Sequence, residues 1–160
     1  MKKPLCVLVL SVIHLSISAI IIISLLVNWE KLNNQIGMGN VEIFIVSWSI
    51  MALILAVSGF GLFFKKKIGY FLAIFIYMFL FFENTITLIL NIKKFISMQH
   101  IYLALINIVR PVFFFMILFY LFKKTIEEYY GIDSKKRFPT VVAISILVIV
   151  LQCVIRGLLK

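Results

Sequence analysis

The sequence predicts an all-α, polytopic membrane protein: one helical bundle over residues 1–160 with about five transmembrane helices and a cytoplasmic N-terminus. Three observations carry that expectation. Five mostly apolar blocks, Leu5–Val27, Val41–Phe64, Ile68–Ile92, Ile101–Phe122 and Pro139–Leu159, fill nearly the whole chain, and a helix needs about 20 apolar residues to cross the hydrocarbon core. The chain is 64% hydrophobic and 14% charged, with a mean hydropathy of +1.16, where an ordinary soluble domain is about 25% charged. The lysines fall between the blocks. Because the blocks are continuous and do not alternate with period 2, a β-barrel is disfavoured.

A net charge of +10 would suit a nucleic acid, but its placement follows the positive-inside rule instead. With the N-terminus inside, the inner surface carries Lys2, Lys3, Lys65, Lys66, Lys67, Lys123, Lys124, Lys135, Lys136 and Arg137, ten in all. The outer surface carries Lys31, Lys93, Lys94, Arg156 and Lys160. The opposite orientation reverses that ratio. Five spans place the C-terminus outside; if the fifth segment did not cross, Arg156 and Lys160 would be cytoplasmic. The expected partners are a bilayer with anionic headgroups on its inner face and a membrane protein partner or a second copy, with no nucleic acid. An abundance of Ile, Lys, Phe and Asn suits an AT-rich bacterial genome, hence a bacterial cytoplasmic membrane.

The first block begins like a signal sequence, with Lys2 and Lys3 ahead of an apolar run. A signal core is typically 7–15 residues; this block is longer and reads as a retained signal-anchor helix. Its Ser11, His14 and Ser18 share one face at i, i+3, i+7. Cys6 and Cys153 lie toward opposite ends of their spans, so a disulfide between them is out of reach.

The second block carries a face of small residues, Ser49, Ala52, Ala56 and Gly59, where helices in lipid approach closely. Its partner is either another helix of this chain or a second copy. Glu42, after a candidate N-cap Asn40, complements the helix dipole. The three lysines at 65–67 then force an antiparallel hairpin, with Gly59, Gly61 and Gly69 letting its arms close. The fourth block is expected to run on as helix through Glu127 and Glu128 to Gly131 as its C′ residue. Pro139 suits the first position of the fifth helix.

Two blocks carry a polar seam. In the third, Tyr70, Ala73, Tyr77, Leu80, Asn84, Thr87 and Asn91 line one face, with Glu83 beside them. In the fourth, His100, Leu103, Asn107, Arg110 and Phe114 repeat the pattern. Reflection through the Lys93–His100 connection sets Glu83 opposite Arg110, at a depth where each charge costs about 2.5–3.5 kcal/mol. The expectation is an intramembrane salt bridge between them, or else each facing water or a different partner. Pro111 withdraws the backbone donor that the Asn107 carbonyl would otherwise receive. Glu83, Arg110, Asn84, Asn107 and His14 therefore form the candidate intramembrane polar site, in which His14 either accepts a proton or bonds to a neighbouring helix. In the fifth block, Ser145, Gln152 and Arg156 share a face, and Arg156 can snorkel.

No cofactor fingerprint, phosphate-binding glycine loop or nucleophile–base spacing is present, and two histidines in separate segments do not make a metal site. Glu127 and Glu128 lie among lysines and lack the arginine four positions on that intramembrane proteases carry. The stretch Gly61-Leu-Phe-Phe-Lys-Lys-Lys-Ile-Gly-Tyr-Phe-Leu-Ala73, followed by Phe119-Tyr-Leu-Phe and Tyr129-Tyr-Gly131, resembles a group of small, functionally uncharacterised bacterial multi-span membrane proteins. The resemblance covers the middle half of the chain and implies architecture only; the fifth block departs from that group's usual four spans. Two roles fit the residues. One is a non-enzymatic packing, accessory or regulatory partner in the membrane, favoured by the small-residue face and the lack of reactive groups. The other is a small transporter or ion-coupled permease using Glu83, Asn107 and Arg110.

Overall fold

A computed structural model of the chain describes residues 4–27, 38–97, 101–133 and 139–150, with the backbone alone at 38–44, 91–97 and 101–104. The described residues form six helices and no strand: α1 (Leu5–Val27), α2 (Met38–Phe63), α3 (Lys67–Ser97), α4 (Ile101–Leu121), α5 (Lys124–Tyr130) and α6 (Pro139–Val150). Three stretches are long and apolar enough to cross a bilayer, Leu5–Val27, Ile45–Phe63 and Lys67–Leu90. A fourth qualifies if α4 and α5, bent by 59° at the break between them, count as one. His100, Gln152, Cys153, Arg156 and the lysines at 135 and 136 lie outside the described residues.

Helix α1 coincides with the first apolar block, and the Pro4 carbonyl accepts its first bonds, from the Val7 and Leu8 amides at 3.0 and 3.3 Å. Helix α2 is already helical at Met38, the first residue described there, so Asn40 lies inside the helix and is not its N-cap. One glycine costs a helix only about 1 kcal/mol against alanine, and the backbone ladder runs through Gly39. At its other end α2 closes in a Schellman turn. The Lys66 amide bonds the Gly61 carbonyl at 2.7 Å, and Lys65 takes the left-handed conformation at φ 58° that usually falls to glycine.

The hairpin closes because Gly61 and Gly69 face each other without side chains. A Cβ on Gly61 would lie 2.5 Å from the Gly69 Cα, and one on Gly69 would run into the Gly61 backbone. Helices meet this tightly only where both residues are small.

By internal packing the chain divides at Ala73 and Ile74, within α3. The first unit contains α1, α2 and the start of α3. It buries Val7, Leu10, Ala52, Leu55, Leu62 and Tyr70 while exposing Ile20, Leu26, Leu53 and Phe60. The second contains the rest of α3 with α4, α5 and α6. Here Tyr77 meets Phe114 and Phe81 meets Phe115, with ring centroids 6.3 and 5.9 Å apart.

The fourth block does not run straight through Glu127 and Glu128. Helix α4 ends at Leu121, its last turn tightened by the Lys123 amide bonding the Tyr120 carbonyl at 3.1 Å. Lys123 is extended, and α5 sets off at the 59° bend. No glycine or proline marks this break. What distinguishes α5 is its own two-sidedness: Ile126, Glu127, Tyr129 and Tyr130 are buried while Lys124, Thr125 and Glu128 are exposed. Gly131, at φ 62°, closes α5 with the Ile132 amide on the Glu127 carbonyl at 3.0 Å. It is a C′ residue as its sequence position suggests, but of α5.

Candidate functional site

The most developed polar cluster joins α1 to α2 within the first unit. Ser11 Oγ donates to the Gly59 carbonyl at 2.9 Å, and Ser18 Oγ donates to the Ala52 carbonyl at 2.8 Å. Between them His14 Nδ1 lies 2.9 Å from Ser58 Oγ, and Ser58 Oγ lies 3.2 Å from the Gly69 carbonyl at the start of α3. All four side chains are buried. The geometry follows from two heptads read in opposite directions: Ser11 and Ser18 are seven apart on α1, as Ala52 and Gly59 are on α2. Side-chain hydroxyls reach a neighbouring helix's carbonyls only where no bulky Cβ substituent covers them. Alanine and glycine provide that opening, and Gly59 packs directly on Leu15 and the Ser11 carbonyl.

Gly69 offers only a carbonyl, which accepts from the Ser58 hydroxyl, and the direction of the His14–Ser58 bond depends on the tautomer of the ring. These contacts tie three helices together through buried side chains.

Of the sequence-predicted packing face, Ala52 and Gly59 are buried, Ala56 is half-buried and Ser49 is exposed. Where α1 and α2 separate, Ser49, Ala52 and Ala56 line an open groove of about 400 Å³ with Ile22, Leu25 and Ile45.

From Tyr77 onward the polar seam belongs to the second unit, whereas Tyr70 and Ala73, like His14, belong to the first. Asn84 Nδ2 donates to the Leu80 carbonyl at 2.7 Å, and Thr85 Oγ1 donates to the Phe81 carbonyl at 2.7 Å. Thr87 Oγ1 reaches Glu83 Oε1 at 3.5 Å. On α6, Ser145 Oγ bonds back to the Val141 carbonyl at 2.8 Å and lies 3.7 Å from Met78 Sδ. Much of the seam is thus satisfied within its own helix.

Glu83 and Arg110 are not brought into contact. An ion pair joins Lys124 and Glu128, 3.8 Å apart on the exposed side of α5. The Tyr77–Phe114 and Phe81–Phe115 contacts straddle the register that would set Glu83 opposite Arg110. The direction differs. A helix turns about 100° per residue, and burying Pro111 carries Arg110 round to an exposed position, with Asn107 and Phe114 half-buried between. Helix α4 is continuous through Pro111.

Sequence reasoning missed Ser58 altogether. Its signal was the Ser11–His14–Ser18 stripe, which required a complementary stripe of acceptors at the same spacing, and Ala52 and Gly59 supply one. Among the described residues no group of three or more His, Cys, Asp or Glu side chains could hold a metal ion. Comparison with protein-family models, with curated proteins and with solved structures finds no match to this chain.

Proposed function

We propose that this chain is a multi-pass protein of a bacterial cytoplasmic membrane, with five spans and its N-terminus inside. It acts without catalysis, as a packing, accessory or regulatory partner of membrane proteins. The observation that supports this most is its polarity, which is inverted relative to a water-soluble fold. Large apolar side chains such as Ile20, Leu53, Phe60 and Ile89 are exposed, while Ser11, His14, Ser18 and Ser58 are buried and hydrogen-bonded. In hydrocarbon an unsatisfied polar group costs several kcal/mol, and this distribution meets that demand. The ten basic residues assigned to the inner side support the orientation.

The partner role draws on Arg110, a charge exposed on an otherwise apolar stretch of α4. Topology reporters placed after Lys67, Lys94 and Arg137 should read inside, outside and inside; the reverse pattern would overturn the orientation. Purified chain in proteoliposomes should pass no ion or solute. A specific flux that is lost on Glu83→Gln while the protein stays folded would replace the accessory role with that of a permease.

A further inference from the structure

We infer that two copies of this chain associate in the membrane through reciprocal ion pairs, Arg110 of each copy meeting Glu83 of the other. The inference deepens the accessory role and rests on the chain being embedded in a bilayer.

The problem to be solved is Arg110. It is the tenth residue of the 21 in α4, so it sits beside the middle of the helix, and its neighbours Ile106, Val109 and Phe113 are exposed with it. From mid-helix the headgroups lie about half of a roughly 30 Å core away, beyond the reach of a guanidinium on its short methylene stem. The charge must be met within the plane of the membrane. Its own chain carries a carboxylate at that level, since the aromatic contacts between α3 and α4 put Glu83 at the depth of Arg110. In one copy Arg110 is exposed on α4. Glu83 is half-buried and so retains an accessible edge.

A two-fold axis along the membrane normal preserves the depth of every residue. It therefore brings Arg110 and Glu83 of opposite copies to one level twice over, the self-complementary arrangement of an isologous dimer. Arginine's planar fork suits a carboxylate bidentately. A different protein bearing an acidic residue, or a lipid phosphate drawn inward, could also meet Arg110, and either would leave this chain monomeric on its own.

The test is single-molecule photobleaching of labelled full-length chain at low density in lipid vesicles. Wild type should bleach in two steps. Arg110→Glu and Glu83→Arg, each alone, should bleach in one, because both contacts then join like charges. Mixed in the same vesicles, the two variants should pair with each other, since every contact across the axis again joins opposite charges. A single in-chain bridge cannot produce that complementation. Wild type bleaching in one step would overturn the proposal whatever the variants do; so would inserted variants that stay dimeric alone or stay single when mixed. Vesicle flotation separates the two levels of the argument. Chain that floats as a monomer contradicts the association alone, whereas chain that fails to float contradicts the membrane reading beneath it.

Discussion

Gly69→Ala places one methyl group where the α2–α3 hairpin has no room. Its Cβ would meet the Gly61 Cα and carbonyl carbon and the Leu62 nitrogen, all backbone atoms. Side chains can swing away from an added methyl, but these atoms are held by the α2 hydrogen-bond ladder and by the Schellman bond from Lys66 to Gly61 at 2.7 Å. Overpacking typically costs 1–3 kcal/mol and sometimes more; with backbone on both sides the top of that range, about 3 kcal/mol, applies. Replacing a helical glycine by alanine returns about 1 kcal/mol. The net expectation is a loss of about 2 kcal/mol, roughly a 30-fold shift toward the unfolded state. The shift should also disturb Ser58, whose hydroxyl bonds the Gly69 carbonyl at 3.2 Å. Equilibrium unfolding in mixed micelles, read from far-UV circular dichroism, measures it. Gly61→Ala should behave alike, and the double variant should not rescue either, because each methyl strikes the other residue's backbone. A Gly69→Ala chain as stable as wild type, or more so, would refute the close-packed hairpin.

Five further outcomes follow from the same structure. Ser18→Ala removes one interhelical bond and should cost about 0.6 kcal/mol, the average for such bonds in membranes. Ser58→Ala should cost more, about 1–3 kcal/mol, because it removes the partner of the buried His14 Nδ1 and the donor to the Gly69 carbonyl together; unfolding titrations that rank the two in reverse would contradict the three-helix polar cluster. Lys65→Gly relieves a left-handed residue and should stabilise the chain by about 1 kcal/mol, whereas Gly131→Ala should destabilise α5 by about 1–2 kcal/mol. Lys124→Ala should change stability by at most a few tenths of a kcal/mol, since its pair with Glu128 is exposed and 3.8 Å long.

Which parts of this molecule could be read from its sequence follows from what periodicity encodes. Apolar run length marks helices, and α1 coincides with its block from Leu5 to Val27. Small residues flanking a short polar link mark a close hairpin, as Gly61 and Gly69 do around the lysines. Depth along a helix is also legible, since rise per residue is constant, and the Tyr77–Phe114 and Phe81–Phe115 contacts fall on either side of the register that the sequence suggests. Direction around the helix is not, because it depends on which flank the neighbouring helices cover, and burying Pro111 turned Arg110 outward. Rotamers are likewise hidden. Asn84, a member of the predicted seam, bonds its own helix, as does Thr85, which the seam did not include, a choice no spacing reveals. The break at Phe122 and Lys123 had no glycine or proline to announce it, and Asn40 has no capping role because the chain is already helical at Met38. Ser58 escaped notice because its importance is relational: it matters only opposite His14.

The central claim is that the exposed apolar faces of these helices lie in hydrocarbon. Spin labels at Val12, Leu53 and Ile89, exposed on α1, α2 and α3, compared with one at Lys65 in the hairpin turn, test it in reconstituted vesicles. The account predicts that the first three collide freely with dissolved oxygen and are shielded from a water-soluble nickel chelate, with Lys65 showing the reverse. Ready access of the chelate to Val12 and Leu53 in the folded chain would contradict it.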